Sequence, residues 1–577
     1  MLNKNSKPFW KYIKSKRQEN IGVAPLLKQG KLHTDSTTKA NILNEQFQSV
    51  FTKDAGNETP RLSGNVYHHI NELHVTTKGV QKLLSNINPQ KATGPDGIPG
   101  RILKELAPEL APCLSIIFEK SLTDGRLPDE WTKAYVTPIF KKGSKHAAVN
   151  YRPVSLTCIP TKLMEHIVCH HIAEHLEEYN ILSLYQHGFR RQRSCETQLI
   201  STIHDLMRFR DRGTQTDVAV LDFSKAFDTV PHRSLLGKLD HYVIRGDIHR
   251  WIATFLTKRT QCVLVEGTSS DHIAKDSGVL QGTVLGPILF LLHINDLPQN
   301  VTSRVRLFAD DCLLYRQIHS QEDQQALHDD LDSLSRWCNK WGMVFNAKKC
   351  NVMTISRSRN PATKFYTIDG EILEQVDNTK YLGITISNDL GWSIQAANTS
   401  NKAKTTLAFL RRNLKLCPKK LKETAYNSLV RSVLEYAATA WDPHLLKDIN
   451  NLEMVQRRAA RFTLNNYTYD SSVTAMLKLL DWQDLQSRRE DQRLILFCKI
   501  MHGLVMVPVD DSEVLKHADT RTRAAHNFKF KTIRATTNNY KHSFFVATTP
   551  AWNNLPADVA ESTTIEMFKS RLKDYQA

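Results

Sequence analysis

"RLFADDCLLY", Arg306 to Tyr315, is the stretch whose reading decides this chain. Two aspartates, Asp310 and Asp311, stand side by side between short apolar runs that read as buried strands. Adjacent carboxylates repel, and each raises the other's pKa unless positive charge lies between them. An ordinary hairpin turn with its polar residues in water satisfies the pattern. A turn that holds a hard divalent cation satisfies it too. The rest of the chain must separate the two.

Upstream, "DVAVLDF" (217–223) reads as a second buried strand, and it runs out on Asp222. Three acids at strand ends of one α/β sheet form an oxygen cage suited to Mg²⁺, which takes hard ligands and keeps several waters. Two such ions about 4 Å apart can activate a primer 3′ oxygen and stabilise leaving pyrophosphate in an in-line displacement. Between the acids lies the glycine-rich "SGVLQGTVLGP" (277–287), and the combination favours the metal-holding turn.

Composition points the same way. At 577 residues the chain has room for about three or four compact units. Its 41% hydrophobic and 24% charged content exclude a disordered polymer. A net charge of +18 calls for a polyanionic partner, nucleic acid before a membrane surface. No apolar run approaches the ~20 residues of a membrane span; "VLGPILFLL" stops at His293, so no membrane partner is expected. The start, "MLNKNSKPFWKYIKSKR", is basic with no apolar core behind it, which does not read as a secretory signal. Ten cysteines without a CxxC pair favour a reducing compartment and argue against structural zinc.

Along the chain, "STTKANILNEQFQSVFT" (36–52) is an amphipathic helix and "KATGPDGIPGRIL" (91–103) a punctuated loop opening a helix. "AYVTPIF" (134–140) reads as a strand entering a basic loop, followed by a helix at 161–178. "QCVLVEGTSSDHIAKDSGVLQG" reads as a hairpin, "VLGPILFLLHINDL" as an apolar helix, and "CNVMTIS" and "KYLGITIS" as short strands. Beyond about 395 the pattern is helical and basic, with eight Lys/Arg against one acid in residues 401–430.

Taken in order, "LDFSKAFDTVPH", "SGVLQGTVLGPILFLLHINDL", "LFADD", "NAKKC" and "KYLGI" resemble the palm motifs of reverse transcriptases from LINE-type, jockey-like non-LTR retrotransposons. "KATGPDGIP", "YRPVSL" and "QHGFRRQRS" resemble the fingers motifs, and "TAYNSLVRSVLEYAATAWDP", "LEMVQRRAARF" and "PAWNNLPADVAESTTIEMFKSRL" the region downstream. The resemblance implies an α/β (α+β) right-hand polymerase: fingers, a palm of antiparallel sheet backed by helices, and a helical thumb. The expected division is an N-terminal extension at 1–75, fingers at 76–215, palm at 216–390, thumb at 391–470 and a helical C-terminal region at 471–577.

The resemblance also implies roles. Asp222, Asp310 and Asp311 would hold two Mg²⁺ ions, or Mn²⁺ in their place. Lys141 in "FKKGSK" and Arg152 in "YRPVSL" would hold the triphosphate, as a point charge and a fork. Gln281 and Gly282 would pack against the incoming nucleotide, and Phe227 would exclude a ribose 2′-hydroxyl. Lys349 matches the lysine that protonates pyrophosphate, although Cys350 follows it where the family more often has threonine. Tyr381, Leu382 and Gly383 would form the primer grip, and Arg190, Arg193, Lys419, Lys420 and Lys422 would contact nucleic acid. The partners implied are an RNA template, a DNA primer or target, and dNTPs. A nuclear rather than cytoplasmic location rests on the family alone, since "KYIKSKR" is a weak import signal. The chain is expected to lack the upstream endonuclease of such elements. The rival readings are an RNA-dependent RNA polymerase, which shares the palm, and an inactive or domesticated derivative that only binds RNA.

Three stretches imitate sites. His166, His170 and Glu174 share a helical face at zinc-binding spacing, but without an HExxH glutamate and opposite the stripe of Met164, Ile167, Val168, Ile172 and Leu176, they read as a solvated face. "SSDH" (269–272) reads as a hairpin turn, and Cys498 with His502 lacks further ligands.

Overall fold

The continuous apolar run in "QTDVAVLD", buried on both faces, is the feature from which the architecture grows. The computed structural model describes the chain except residues 1–9, 11, 14, 16–21, 53–59, 61, 63–66, 510–511, 513, 519–525 and 577; "KYIKSKR" lies mostly outside the described residues. The strands that matter are β1 (Lys133–Phe140), β2 (Tyr151–Leu156), β3 (Gln215–Asp222), β4 (Thr260–Val265), β5 (Arg304–Phe308), β6 (Asp311–Ile318), β7 (Asn351–Ile355), β8 (Glu374–Gln375), β9 (Asn378–Tyr381) and β10 (Ile384–Ser387).

One five-stranded sheet has the order β8-β7-β3-β6-β5, antiparallel except for the short β7–β8 pair. Successive side chains of a strand face opposite ways, and here both faces are covered. Ala219, Leu221, Cys312, Leu314 and Val352 enter one core, which holds the helices around 159–178, 232–257 and 286–294. Val218, Leu313, Tyr315, Met353 and Ile355 enter a second. That second core takes in helix α1 (Cys195–Asp211) together with α2 (Ser393–Asn413), α3 (Leu446–Leu464) and α4 (Leu485–Met501). The second core therefore runs from the back of the sheet through residues 393–464 into the helices beyond. Helix α1, expected among the fingers, packs behind this sheet. Its start is fixed by a capping box in which Ser194 and Thr197 satisfy each other's backbone donors.

A second sheet runs β2-β1-β4 and continues into Thr268–Ser269, with β1 antiparallel to β2 and parallel to β4. The amphipathic helix, Ser36–Gln48, closes it through Leu43 and Phe47 against Val136, Val263 and Val265. Asp35 caps that helix, accepting the Thr38 N–H at 2.8 Å. "KYLGITIS" is not the single strand its composition suggests: it is the hairpin β9–β10, turned at Leu382 and Gly383, both with positive φ. Among the described residues no helix is long and apolar enough to cross a membrane.

Candidate active site

Asp222 ends β3 and Asp311 begins β6, and the antiparallel register sets the two residues directly opposite each other. Such pairs have Cα atoms only about 4.5–5.5 Å apart, so the register alone forces two carboxylates together. Asp310 joins them from the turn, where Ala309 has a φ of 52°. That left-handed residue is held by Gln186, whose Oε1 accepts the N–H of Ala309 at 2.9 Å and of Gly188 at 2.7 Å. A Cβ on Gly188 would lie 2.4 Å from the Ala309 nitrogen, so the approach needs glycine. Backbone bonds between Leu307 and both Tyr185 and His187 extend the stitch. The "QHG" segment thus braces the turn that carries the acids.

Asp222 is framed from the other side. Its N–H points at Cys350 Sγ at 3.4 Å, and its carbonyl accepts the Asn346 N–H at 2.8 Å. Phe223 stacks on Phe345 with centroids 4.4 Å apart, fixing where the chain leaves the strand.

The cations nearby do not offset the burial of two of the acids. Burial, then Asp310 and Asp222, push Asp311 up to about 6, even though its side chain keeps contact with solvent. Burial also raises Asp310, with Asp222 adding to it; its own N–H, Arg152 and Lys141 oppose the rise. Lys349 Nζ lies 2.6 Å from Asp222 Oδ2. Lys141 is held below the usual lysine range by burial and by Arg152 and Lys349 beside it, against the pull of Asp222. Lys225 is lowered likewise, by burial and then by Lys349 and Arg152 against Asp228. Three carboxylates and four cations share one cleft.

These donors fit a hard divalent cation in kind: oxygen ligands, partly buried, whose mutual repulsion a cation would relieve. The arrangement is not a closed cage, however. Among the described residues no three His, Cys, Asp or Glu side chains stand close enough to hold an ion as they lie, and Lys349 occupies one oxygen of Asp222.

The second sheet supplies the facing wall. Arg152 and Lys141 stand exposed on and just beyond the β1–β2 pair. The glycine-rich loop docks against this pair: the Gln281 carbonyl accepts the Ser155 N–H at 2.8 Å, and Gly282, at φ 104°, would put a Cβ 2.8 Å from the Ser155 oxygen. Phe227 is half-buried and stacks on Phe290 at 4.6 Å, while its carbonyl accepts the Val279 N–H at 2.8 Å.

Several expected contacts turn inward instead. Arg190, with a side chain 4% exposed, makes a two-point pair with Glu177 and donates to the carbonyls of Leu182 and Ser183. Arg193 donates to the carbonyls of Leu184 and Gln186, and burial lowers it to about 10. Both hold the "QHG" bend. Tyr381 is 2% exposed and its hydroxyl takes a 3.0 Å bond from Gln198, which leaves only half-buried Leu382 and exposed Gly383 at the hairpin tip. Tyr436 fixes that tip, its hydroxyl 2.9 Å from the Leu382 carbonyl. Lys422, 3% exposed, lies over the Phe462 ring at 5.0 Å, whereas Lys419 and Lys420 are exposed. Period-blind counting of charge cannot tell these lysines apart.

His166, His170 and Glu174 are exposed, and His170 Nε2 lies 3.3 Å from a Glu174 oxygen. Two groups escaped sequence reasoning. Lys225 could have been suspected from its place between Asp222 and Asp228, but nothing local marks Gln186 as the brace of a turn more than a hundred residues away.

The segment 139–386 matches the model of the reverse transcriptase (RNA-dependent DNA polymerase) family. The chain is similar to the RNA-directed DNA polymerase from mobile element jockey of Drosophila melanogaster, 26% identical over 67% of this chain and 43% of that protein. It is 25% identical to the probable RNA-directed DNA polymerase from transposon BS of the same species, over 78% of this chain and 52% of that protein. A retrovirus-related Pol polyprotein from type-1 retrotransposable element R2 of Popillia japonica is 28% identical over 45% of this chain and 38% of its own length. The chain spans about half the length of these curated relatives.

Proposed function

We propose, from the premise that residues 139–386 are a reverse-transcriptase domain of the right-hand polymerase fold, that this chain is an RNA-directed DNA polymerase of the non-LTR retrotransposon kind. It extends a DNA primer 3′ end with dNTPs on an RNA template. The observation that carries the reading is the register of Asp222 against Asp311, with Asp310 beside them in the turn. Reverse transcriptases use divalent metals as a family; here we assign two Mg²⁺ ions to Asp222, Asp310 and Asp311, supplying charge neutralisation and activation of the 3′ oxygen when bound.

The chain's own groups do the rest. Lys141 and Arg152 neutralise and orient the triphosphate. The 3′ oxygen forms its bond to the α-phosphorus, the bond to the bridging oxygen breaks, and pyrophosphate leaves. Lys349, an ammonium beside Asp222, is the group we assign to protonating that leaving oxygen. The Gln281–Gly282 backbone seats the nascent base pair on the fingers strand, and the ring of Phe227 packs where a 2′-hydroxyl would need room. The division into fingers, palm, thumb and C-terminal region serves this cycle, and action in the nucleus is proposed on the family alone. Purified protein on a primed RNA template tests the reading. Extension with dNTPs well above rNTPs is expected; extension with rNTPs alone, or nucleic-acid binding with no extension, would replace it.

A further inference from the structure

We infer that the far end of the thumb carries a second nucleic-acid site, a groove that takes the single-stranded part of the RNA. The groove, about 610 Å³, lies between the C-terminal turn of α2 and the end of α3, lined by Ala408, Arg411, Arg412, Lys415, Asn465 and Tyr467 over buried Phe462. Its three cations are exposed, and no carboxylate pairs with them among the described residues. Arg411 lies 5.5 Å from the centre of the Tyr467 ring.

The loop beyond α3 is built to hold aromatic rings in water. Asn465, at φ 54°, stops the helix. Asn466 Oδ1 accepts the Thr468 N–H at 3.2 Å, the Thr468 hydroxyl at 2.9 Å and the Ser471 hydroxyl at 2.9 Å. Arg461 donates to the Thr468 carbonyl at 3.1 Å. On this stapled loop Tyr467 is 51% exposed and Tyr469 98% exposed, so neither ring earns its place by burial. Of this loop Asn465 and Tyr467 line the groove, while Tyr469 and Asp470 stand beyond its wall.

Exposed rings beside cations that have no carboxylate partner match an unstacked strand: bases stack on aromatics while Arg and Lys track phosphates. A duplex offers no base faces, so the tyrosines would be idle against it. The site rests on the reading of an RNA template, the strand that stays single ahead of synthesis, but lies apart from the acids. Short single-stranded RNA carrying 4-thiouridine is therefore cross-linked to the full-length protein and the adduct mapped. An adduct within 465–470, with affinity falling roughly tenfold or more in Tyr467→Ala/Tyr469→Ala while blunt-duplex affinity stays within about twofold, is expected. Arg411→Ala/Arg412→Ala/Lys415→Ala should reduce the log–log salt slope for single strands by about two. Adducts confined to other peptides, or equal losses for duplex and single strand, overturn the site. Primer extension on a template with only a few unpaired nucleotides should be unchanged in both variants. If the wild type does not extend at all, the polymerase reading fails, and the cross-link still decides the groove.

Discussion

The central sheet has three acids at its strand ends and one buried acid, Asp205 of helix α1, behind it, and they are built on opposite terms. Behind the sheet, Asp205 Oδ2 accepts bonds from Arg304 at 2.9 Å, Arg306 at 2.8 Å and the Tyr315 hydroxyl at 2.7 Å. Burial alone would raise Asp205, but Arg306 and Arg304 bring it below the usual carboxylate range. At the strand ends, Asp310 and Asp311 are raised instead, and the nearby cations do not compensate them. Arg306 and Tyr315 stand at the two ends of the very stretch whose middle is Asp310–Asp311. The same ten residues thus supply two donors to Oδ2 of Asp205 behind the sheet and carry two raised acids at its front. A fold satisfies charges that only need to be buried. It leaves charge uncompensated where something else is to bind.

Four measurements press on that contrast, the largest effect first. Asp310→Asn keeps shape and loses charge, so primer extension should fall by roughly a thousandfold or more while RNA affinity and melting temperature stay near wild type. Activity within about tenfold of wild type at equal folding would remove the strand-end acids from the chemistry. Arg306→Leu should do the reverse: it strands a buried carboxylate and should cost about 3–5 kcal/mol of stability by denaturant titration. A loss below about 1 kcal/mol would mean that the rear cluster is not what fastens α1 to the sheet.

Phe227→Val sharpens the front cluster into a DNA-making site. If the ring guards the sugar, use of rNTP relative to dNTP should rise about tenfold, against a stability cost of about 1–3 kcal/mol from the lost stacking on Phe290. An unmoved ratio would leave the ring as core packing. The smallest effect is a difference of pH signature. Asp311 in the fold binds its proton up to about 6, against 3.8 when unfolded, so it lowers stability increasingly as pH rises between those values. In metal-free buffer Asp311→Asn should therefore melt slightly above wild type at pH 7, with the gap closing by about pH 4. Asp205, lowered in the fold, contributes stability above the ordinary carboxylate range and loses it as pH falls through its folded value. Asp205→Asn should accordingly melt below wild type at pH 7, with the gap narrowing only in strong acid. Parallel profiles for the two variants would erase the distinction.

Much of the fold was legible because it is written in local periods. Short apolar runs in "DVAVLDF" and "RLFADDCLLY" located the central strands, and the stripe of Met164, Val168, Ile172 and Leu176 located a helix whose buried side is as expected. The acids were legible for a related reason: carboxylates set at strand ends are costly, and cost in a sequence points to use. What the sequence could not reveal is which way a long cation turns. Arg190, Arg193 and Lys422 look like surface charge but turn inward, Lys422 to full burial and the two arginines to partial burial, while Lys419, Lys420, Lys141 and Arg152 carry the same chemistry outward. A flexible side chain's direction depends on neighbours brought in from elsewhere: Glu177 for Arg190, Phe462 for Lys422. Tyr381, Gln198 and the Gln186 brace under Ala309 are decided in the same way. The sequence by itself thus determined the strands, the acids and the need for a polyanionic partner, because periodicity and charge are properties of the chain. Tertiary structure alone decided the register that faces Asp222 with Asp311 and the partner of each buried cation, because those depend on contacts between residues far apart in sequence.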